Sequence, residues 1–176
     1  MGFLSLGDER KFQIEDAILI LLLLLSLGGI IITDFSPLDG YTYWMVMVIV
    51  FALLAILIAW LQDKEQVEDE FTSIVKEQAL HWLSSMATIG GVFLLEKADV
   101  LTETTSSPVM LLILALATIL DGIRIGWRFS LVGVYLGIAA IIIAYSDHFL
   151  LVNSLLAILI VAFTIGLEIW LAKRAI

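Results

Sequence analysis

The chain has 176 residues, of which 61% are hydrophobic and 15% are charged, and its formal net charge is −9. Soluble domains carry about 45–50% apolar and about 25% charged residues, and a soluble chain of this length has too small an interior to bury the excess. The composition therefore predicts an integral membrane protein with a single transmembrane domain over residues 1–176. The acidic balance argues against nucleic acid as a partner, and the absence of cysteine excludes disulfides and thiolate metal sites.

Uncharged apolar runs mark the predicted membrane spans. Each run falls within the length of about 17–25 residues that crosses a bilayer as a helix. We therefore predict an all-α, polytopic bundle of six transmembrane helices, at 17–33, 40–62, 78–95, 104–120, 129–146 and 149–167. The third run is the most polar, and the fourth must extend past Asp121 toward Arg124 to gain length.

The segments outside the spans are short. Residues 1–16 form a predicted cytoplasmic tail. Residues 63–78 combine an apolar stripe at helical spacing with many carboxylates, which predicts an acidic amphipathic juxtamembrane helix that runs into span three. Its charged side is either a solvated face or a docking site for a basic partner or cations. Ser107 and Pro108 predict a helix start, with Ser107 as N-cap.

Basic residues predict the orientation. Of the nine Lys and Arg residues, Lys97 alone falls on one side of the predicted spans. The other eight fall on the opposite side, which the positive-inside rule places in the cytoplasm; they are Arg10, Lys11, Lys64, Lys76, Arg124, Arg128, Lys173 and Arg174. Both termini are therefore predicted to be cytoplasmic, in a prokaryotic cytoplasmic membrane.

Two pairs of short motifs suggest an internal duplication. Leu38-Asp39-Gly40 opens the second predicted span and Leu120-Asp121-Gly122 opens the fifth, while Thr88-Ile89-Gly90 has a counterpart in Thr164-Ile165-Gly166. A duplicated unit of three helices has an odd number of spans, so the second copy would insert with inverted topology. The alternative is that aliphatic segments match by composition alone. Two inverted three-helix repeats are thus a hypothesis.

Charged residues at the predicted membrane boundary form the first candidate site. Asp121, Arg124, Arg128 and Glu168 all lie toward the cytoplasmic ends of predicted spans. Asp121 and Arg124 are three residues apart and share a helical face, which predicts that they interact. The cluster is either an ion gate or a structural brace of paired charges, since unpaired charges near hydrocarbon are costly.

Small and hydroxylated residues within the spans form the second candidate set. Such residues mark either helix packing or a narrow permeation path. The set comprises Thr88, Gly90, Gly91, Thr118, Thr164 and Gly166. Gly133 and Gly137 in span five have a spacing that allows close helix contact, within the monomer or at the seam of a homo-oligomer.

The residues give little support for catalysis. His81 and His148 are predicted at opposite membrane interfaces, so they cannot share a metal or a haem. We therefore expect neither an enzyme nor a cofactor. Two hypotheses follow: a small channel or transporter for an ion or small solute, acting as a homo-oligomer, or a non-catalytic accessory or assembly subunit of a larger membrane complex.

Overall fold

The computed structural model describes residues 6–62, 68–145 and 149–174. Within these residues the chain forms six α-helices and no strand, which confirms the all-α prediction. The helices are α1 (Leu6–Phe35), α2 (Pro37–Gln62), α3 (Glu68–Lys97), α4 (Glu103–Ile125), α5 (Trp127–Tyr145) and α6 (Phe149–Arg174).

Five of these helices are long and apolar enough to cross a membrane. The qualifying segments among the described residues are Ile14–Thr33, Asp39–Trp60, Thr104–Ile125, Trp127–Tyr145 and Leu150–Leu167. They belong to α1, α2, α4, α5 and α6. The third predicted span, 78–95, lies within α3, whose amide, imidazole and hydroxyl side chains make it more polar than the other five.

Four helices form a closed ring around the core, and two lie outside it. Around the ring, α1 packs on α2, α2 on α4, α4 on α5, and α5 on α1. Outside the ring, α3 packs on α2 and α4, and α6 packs on α5 and α1. The largest fully buried apolar side chains are Trp44, Tyr135, Phe51, Leu22, Ile30, Ile89, Met110, Leu111, Leu114, Leu136 and Val48.

The principal helix contacts repeat when the two halves of the chain are exchanged. If α1 is exchanged with α4, α2 with α5 and α3 with α6, each principal packed pair maps onto another principal packed pair. For example, the α3–α4 pair maps onto α6–α1, and α2–α4 maps onto α5–α1. The outer helices α3 and α6 therefore occupy equivalent places in the packing plan.

A tight glycine-dependent corner joins α4 to α5. Gly126 is the single residue between them and has a φ of 142°, a conformation that favours glycine. At Gly122 an added Cβ would lie 2.2 Å from the backbone nitrogen of Ser130, so the two helices approach at van der Waals distance there. Since α4 continues to Ile125, the predicted extension of span four past Asp121 is confirmed.

Other local predictions need correction. Leu120-Asp121-Gly122 closes α4, so the prediction that it opens span five is wrong. The predicted helix start at Ser107 is also wrong: α4 begins at Glu103, Thr102 is its N-cap, and Pro108 lies inside the helix. Polar residues at 102–107 extend the helix beyond its apolar run because Thr102 and Thr105 form a capping box.

Two predicted segments lie partly outside the described residues. Of the predicted tail 1–16, residues 1–5 are not described, and from Leu6 onward the chain is helical as part of α1. Of the predicted juxtamembrane helix 63–78, residues 63–67 are not described. Glu68 is the first residue of α3, so the described part of the predicted juxtamembrane helix and the predicted third span form one continuous helix.

Candidate functional site

A buried carboxylate joins α3 to α4. Asp121 of α4 is 0% exposed. Its Oδ1 accepts a hydrogen bond from Gln78 Nε2 at 2.7 Å, and its Oδ2 accepts one from Trp82 Nε1 at 3.2 Å. Trp82 Nε1 also donates to Gln78 Oε1 at 3.1 Å. Gln78 and Trp82 are four residues apart on α3 and present one face to α4. We call these three residues the Asp121 cluster.

Arg124 does not bond to Asp121 among the described contacts, so the predicted pairing of these residues is wrong. Arg124 instead forms an ion pair with Glu77 of α3, and the two side chains are 44% and 61% exposed. The physical reason is that the two side chains leave α4 in different directions, one toward buried protein and one toward the surface. Asp121 points into the α3–α4 interface, whereas the longer Arg124 side chain reaches the surface, where Glu77 lies.

Arg128 takes part in a second, separate ion-pair group. Its guanidinium donates to Asp16 Oδ1 from Nε and to Glu15 Oε2 from Nη1, both at 2.8 Å. Arg128 is buried, with 8% of its surface exposed. These contacts tie the first turn of α5 to α1. The corner at Gly126 directs Arg128 toward α1 and leaves Arg124 beside α3, which divides the predicted four-residue cluster. Glu168 lies on α6, and its side chain is outside the described part of the structure.

A groove runs between α3 and α4 next to the Asp121 cluster. Its volume is about 660 Å³, and it opens sideways from the bundle. The α3 wall is mainly polar, and the α4 wall is apolar except at Arg124. The lining residues are Glu77, Leu80, His81, Ser84, Ser85, Thr88, Ile113, Leu116, Ala117, Leu120 and Arg124. We call this space the α3–α4 groove.

The polar side chains of the groove are held by helix carbonyls. His81 Nε2 donates to the carbonyl oxygen of Ala117 across the interface at 3.0 Å. The Ser84 hydroxyl donates to Leu80 O at 2.8 Å, and the Thr88 hydroxyl donates to Ser84 O at 2.9 Å. These bonds use the hydroxyl protons, so the oxygen lone pairs remain available to accept hydrogen bonds or to coordinate a cation.

The candidate pore residues are distributed over three helices. Thr88 is exposed in the α3–α4 groove. Thr118 and Thr164 are buried and donate to carbonyls of their own helices, Leu114 O at 2.6 Å and Ile160 O at 2.9 Å. An added Cβ would meet nothing within 4 Å at three glycines, namely Gly90, Gly91 and Gly166. The structure therefore does not bring this set together around one point.

The predicted seam at Gly133 and Gly137 is occupied within the monomer. A Cβ added at Gly133 would lie 2.7 Å from the Ile119 backbone nitrogen and 2.8 Å from Ala115 O. A Cβ at Gly137 would lie 3.6 Å from the Ala115 Cβ. Both glycines thus face α4. Of the two predicted uses of this spacing, the structure shows packing within the monomer, because the small residues serve the α4–α5 contact.

Some polar contacts were missed at the level of sequence. Glu15 and Asp16 lie in the predicted N-terminal tail, and no short-range pattern links them to Arg128, more than 100 residues away. The spacing of Gln78 and Trp82 was a usable signal, because two hydrogen-bond donors four residues apart on a helix can both bond to one acceptor on a neighbouring helix. Three fully buried side chains also carry polar atoms that lack a partner among the described residues: Ser26 Oγ, Tyr135 OH and the Asn153 amide.

A much smaller cavity than the groove lies inside the bundle. It lies between α1, α2 and α5, beside Arg128, and its volume is about 10 Å³, close to the minimum of about 10–15 Å³ for one water molecule.

No protein-family model matches the chain, and comparisons with curated proteins and with solved structures found no match. Any function must therefore be argued from the contacts of the chain itself.

Proposed function

We propose that this protein is a small membrane transporter or channel for an ion or small solute, with the α3–α4 groove as part of the solute path. The main support for this proposal is the polar lining of the groove. The groove places an imidazole, three hydroxyls and an ion pair on the side of an otherwise apolar helical bundle. Polar side chains within membrane-spanning segments are costly and characteristically line substrate or ion pathways.

The proposal requires α3 to cross the membrane as a sixth span. Contacts from Glu77 to Glu96 support this. At the middle of α3, Trp82 lies against Phe51 of α2, and near its end Phe93 stacks on Tyr41 of α2 with ring centroids 4.1 Å apart. On the α4 side, Glu96 accepts a hydrogen bond from Ser106. Because this part of α3 packs antiparallel to α2 and α4, we propose that it lies at the same depth in the membrane.

The orientation follows the charge distribution. With six spans, both termini lie on the side that carries eight of the nine basic residues. We propose that this side is the cytoplasm, in a prokaryotic cytoplasmic membrane. The chain has no cysteine, so a Cys introduced at Asp99 reports its own side without background. Labelling of Asp99→Cys by an impermeant maleimide in intact cells supports this orientation, and labelling only after permeabilisation contradicts it.

An inverted repeat is consistent with this function. The exchange of α1, α2 and α3 with α4, α5 and α6 preserves the principal helix contacts. Inverted repeats are common in transporters because the two halves can exchange conformations on opposite sides of the membrane. The repeat predicts that the halves superpose after rotation about an axis in the membrane plane. An experimental structure in which the halves have different crossing angles would overturn it.

Flux through the purified protein tests the proposal. Thr88→Cys in the groove would be reconstituted into liposomes, and the flux of protons and of monovalent cations would be measured before and after a charged methanethiosulfonate reagent. Modification should reduce flux at least several-fold. The matched control is Ser154→Cys on α6, because the Thr88 and Ser154 hydroxyls both bond to an i−4 carbonyl, at 2.9 Å and 2.8 Å. Equal effects at both positions, or no flux of any tested ion, would contradict the proposal.

The second candidate is an accessory subunit of a larger membrane complex. One observation favours it: Asp121, the most deeply buried carboxylate near the groove, is already bonded to Gln78 and Trp82 and acts as a packing group. Such a subunit would use the α3–α4 groove to hold a helix of another protein. Purification in mild detergent separates the candidates, since larger subunits that co-purify in fixed ratio support this alternative.

A further inference from the structure

A stripe of small and hydroxylated residues lies on the outward side of α3, beside exposed leucines such as Leu80 and Leu83. Ser84, Ala87 and Thr88 are exposed, and a Cβ added at Gly91 would meet nothing within 4 Å. These four residues lie at positions i, i+3, i+4 and i+7, so they share one face of α3. Among the described residues five helices are long and apolar enough to cross a membrane, and α3 is not among them because it is more polar. Small residues in such a stripe let helix backbones approach closely.

We propose that this stripe and the α3–α4 groove are covered by the same surface of a second copy of the chain, in a symmetric homodimer. The inference rests on the proposed function in one respect, namely that α3 spans the membrane. Two copies inserted with the same orientation must be related by an axis along the membrane normal. Their α3 helices would then cross in a parallel arrangement, with Thr88 of each copy near the axis.

The charges at one end of the groove, which pair with each other within one copy, fit a second copy better than a purely acidic or purely basic partner. Glu77 and Arg124 are both exposed, and they have opposite signs. In a two-fold symmetric interface each surface must be complementary to itself. A surface with one positive and one negative group meets this condition, because Glu77 of one copy can face Arg124 of the other. A purely acidic or purely basic partner would leave one of the two groups beside a like charge.

The dimer also completes the site. Each groove of about 660 Å³ is open on the side that the second copy would cover. Two grooves that face each other enclose a space lined by His81, Ser84 and Thr88 from both copies. That space would be separated from lipid, which a monomer cannot achieve. The solute path of the proposed function would therefore run along the interface between the copies.

Cysteine cross-linking in membranes tests this arrangement. The variants Ala87→Cys, Thr88→Cys and Gly91→Cys would be oxidised in native membranes, and dimers would be identified by mass. Three adjacent positions guard against one variant that fails to fold. The control is Leu159→Cys on α6, which is 65% exposed and reports random collision. Dimers should form at one or more α3 positions at least several-fold faster than at Leu159. Equal rates at α3 and Leu159, or cross-links to a different protein, would overturn the proposal.

Charge reversal separates contacts between copies from contacts within one copy. Glu77→Arg gives a surface with two positive groups, and Arg124→Glu gives one with two negative groups. Each variant should repel its own copies, whereas the two variants expressed together should attract each other. With Thr88→Cys in both, the mixed pair should cross-link about three- to fivefold more than either alone, as expected for exposed ion pairs. Equal cross-linking in all three preparations would overturn the proposal.

The dimer and the proposed function can fail separately. Cross-linking is measured without any solute. A dimer that cross-links through α3 but carries no flux contradicts the transport function alone. Conversely, flux from a protein whose α3 positions do not cross-link contradicts the dimer alone.

Discussion

The helices α3 and α6 occupy equivalent places in the packing plan but are held in different ways. Each lies outside the ring of four helices and packs on two of its members. The α3 helix is tied to α4 by the Asp121 cluster, by His81 and by the Glu77–Arg124 ion pair. Only 11% of the α6 segment Leu150–Leu167 is buried, and the Ser154 and Thr164 hydroxyls donate to carbonyl oxygens of α6 itself.

The difference shows what each helix needs from its surroundings. An apolar helix such as α6 gains nothing from leaving lipid, because lipid tails are as apolar as its side chains. If α3 spans the membrane as we propose, its amide and imidazole groups must be satisfied by protein, since lipid offers no hydrogen bonds. The ring therefore acts as the scaffold, α3 as the specifically attached helix, and α6 as a lipid-facing one. Three substitutions can break or sharpen this comparison.

The largest effect is expected within the ring itself. In Arg128→Ala the carboxylates of Glu15 and Asp16 lose the buried guanidinium that binds both. Removing one partner from a buried ion pair typically costs about 3–5 kcal/mol. We expect the free energy of unfolding, measured by titrating detergent-solubilised protein with SDS and following far-UV circular dichroism, to fall by that amount. A loss below about 1 kcal/mol would show that the ring does not depend on this contact.

An intermediate effect is expected where α3 meets the ring. Asp121→Ala removes the acceptor of Gln78 Nε2 and one of the two acceptors of Trp82 Nε1, which keeps its bond to Gln78 Oε1. One buried donor left without a partner costs about 1–3 kcal/mol, so we expect the same titration to show a loss of about that size. The matched control on α6 is Thr164→Val, which removes a buried hydroxyl bonded only to its own helix. If both variants lose the same stability, the contrast between α3 and α6 is wrong.

The smallest effect is expected at the exposed end of the groove. Arg124→Gln breaks the pair with Glu77, but both side chains are well exposed. Exposed ion pairs contribute about 0–1 kcal/mol, so the free energy of unfolding should change by less than about 1 kcal/mol. The expected order is therefore Arg128→Ala, Asp121→Ala, then Arg124→Gln. A reversed order would mean that the outer helix α3 stabilises the fold more than the ring does.

Sequence patterns predicted the helices well because apolar run length is a local property. Five of the six runs coincide with apolar helices, and α4 extends past Asp121 as its short run required. The charge contacts could not be predicted in the same way. Whether Asp121 meets Arg124 or Gln78 depends on which face of α4 packs against α3, and on the bend at Gly126. Both are tertiary properties, as is the use of Gly133 by the α4–α5 contact.

The central claim is that one face of α3 lies at membrane depth yet is shielded from lipid. Its most direct measurement is the collision rate of spin labels at Thr88→Cys and at Leu159→Cys with oxygen and with a polar nickel reagent, in liposomes. Oxygen concentrates in hydrocarbon, whereas the nickel reagent stays in water. We expect the Thr88 label to show lower oxygen and higher nickel accessibility than the lipid-facing Leu159 label. Matching high oxygen accessibility at both positions would contradict the account.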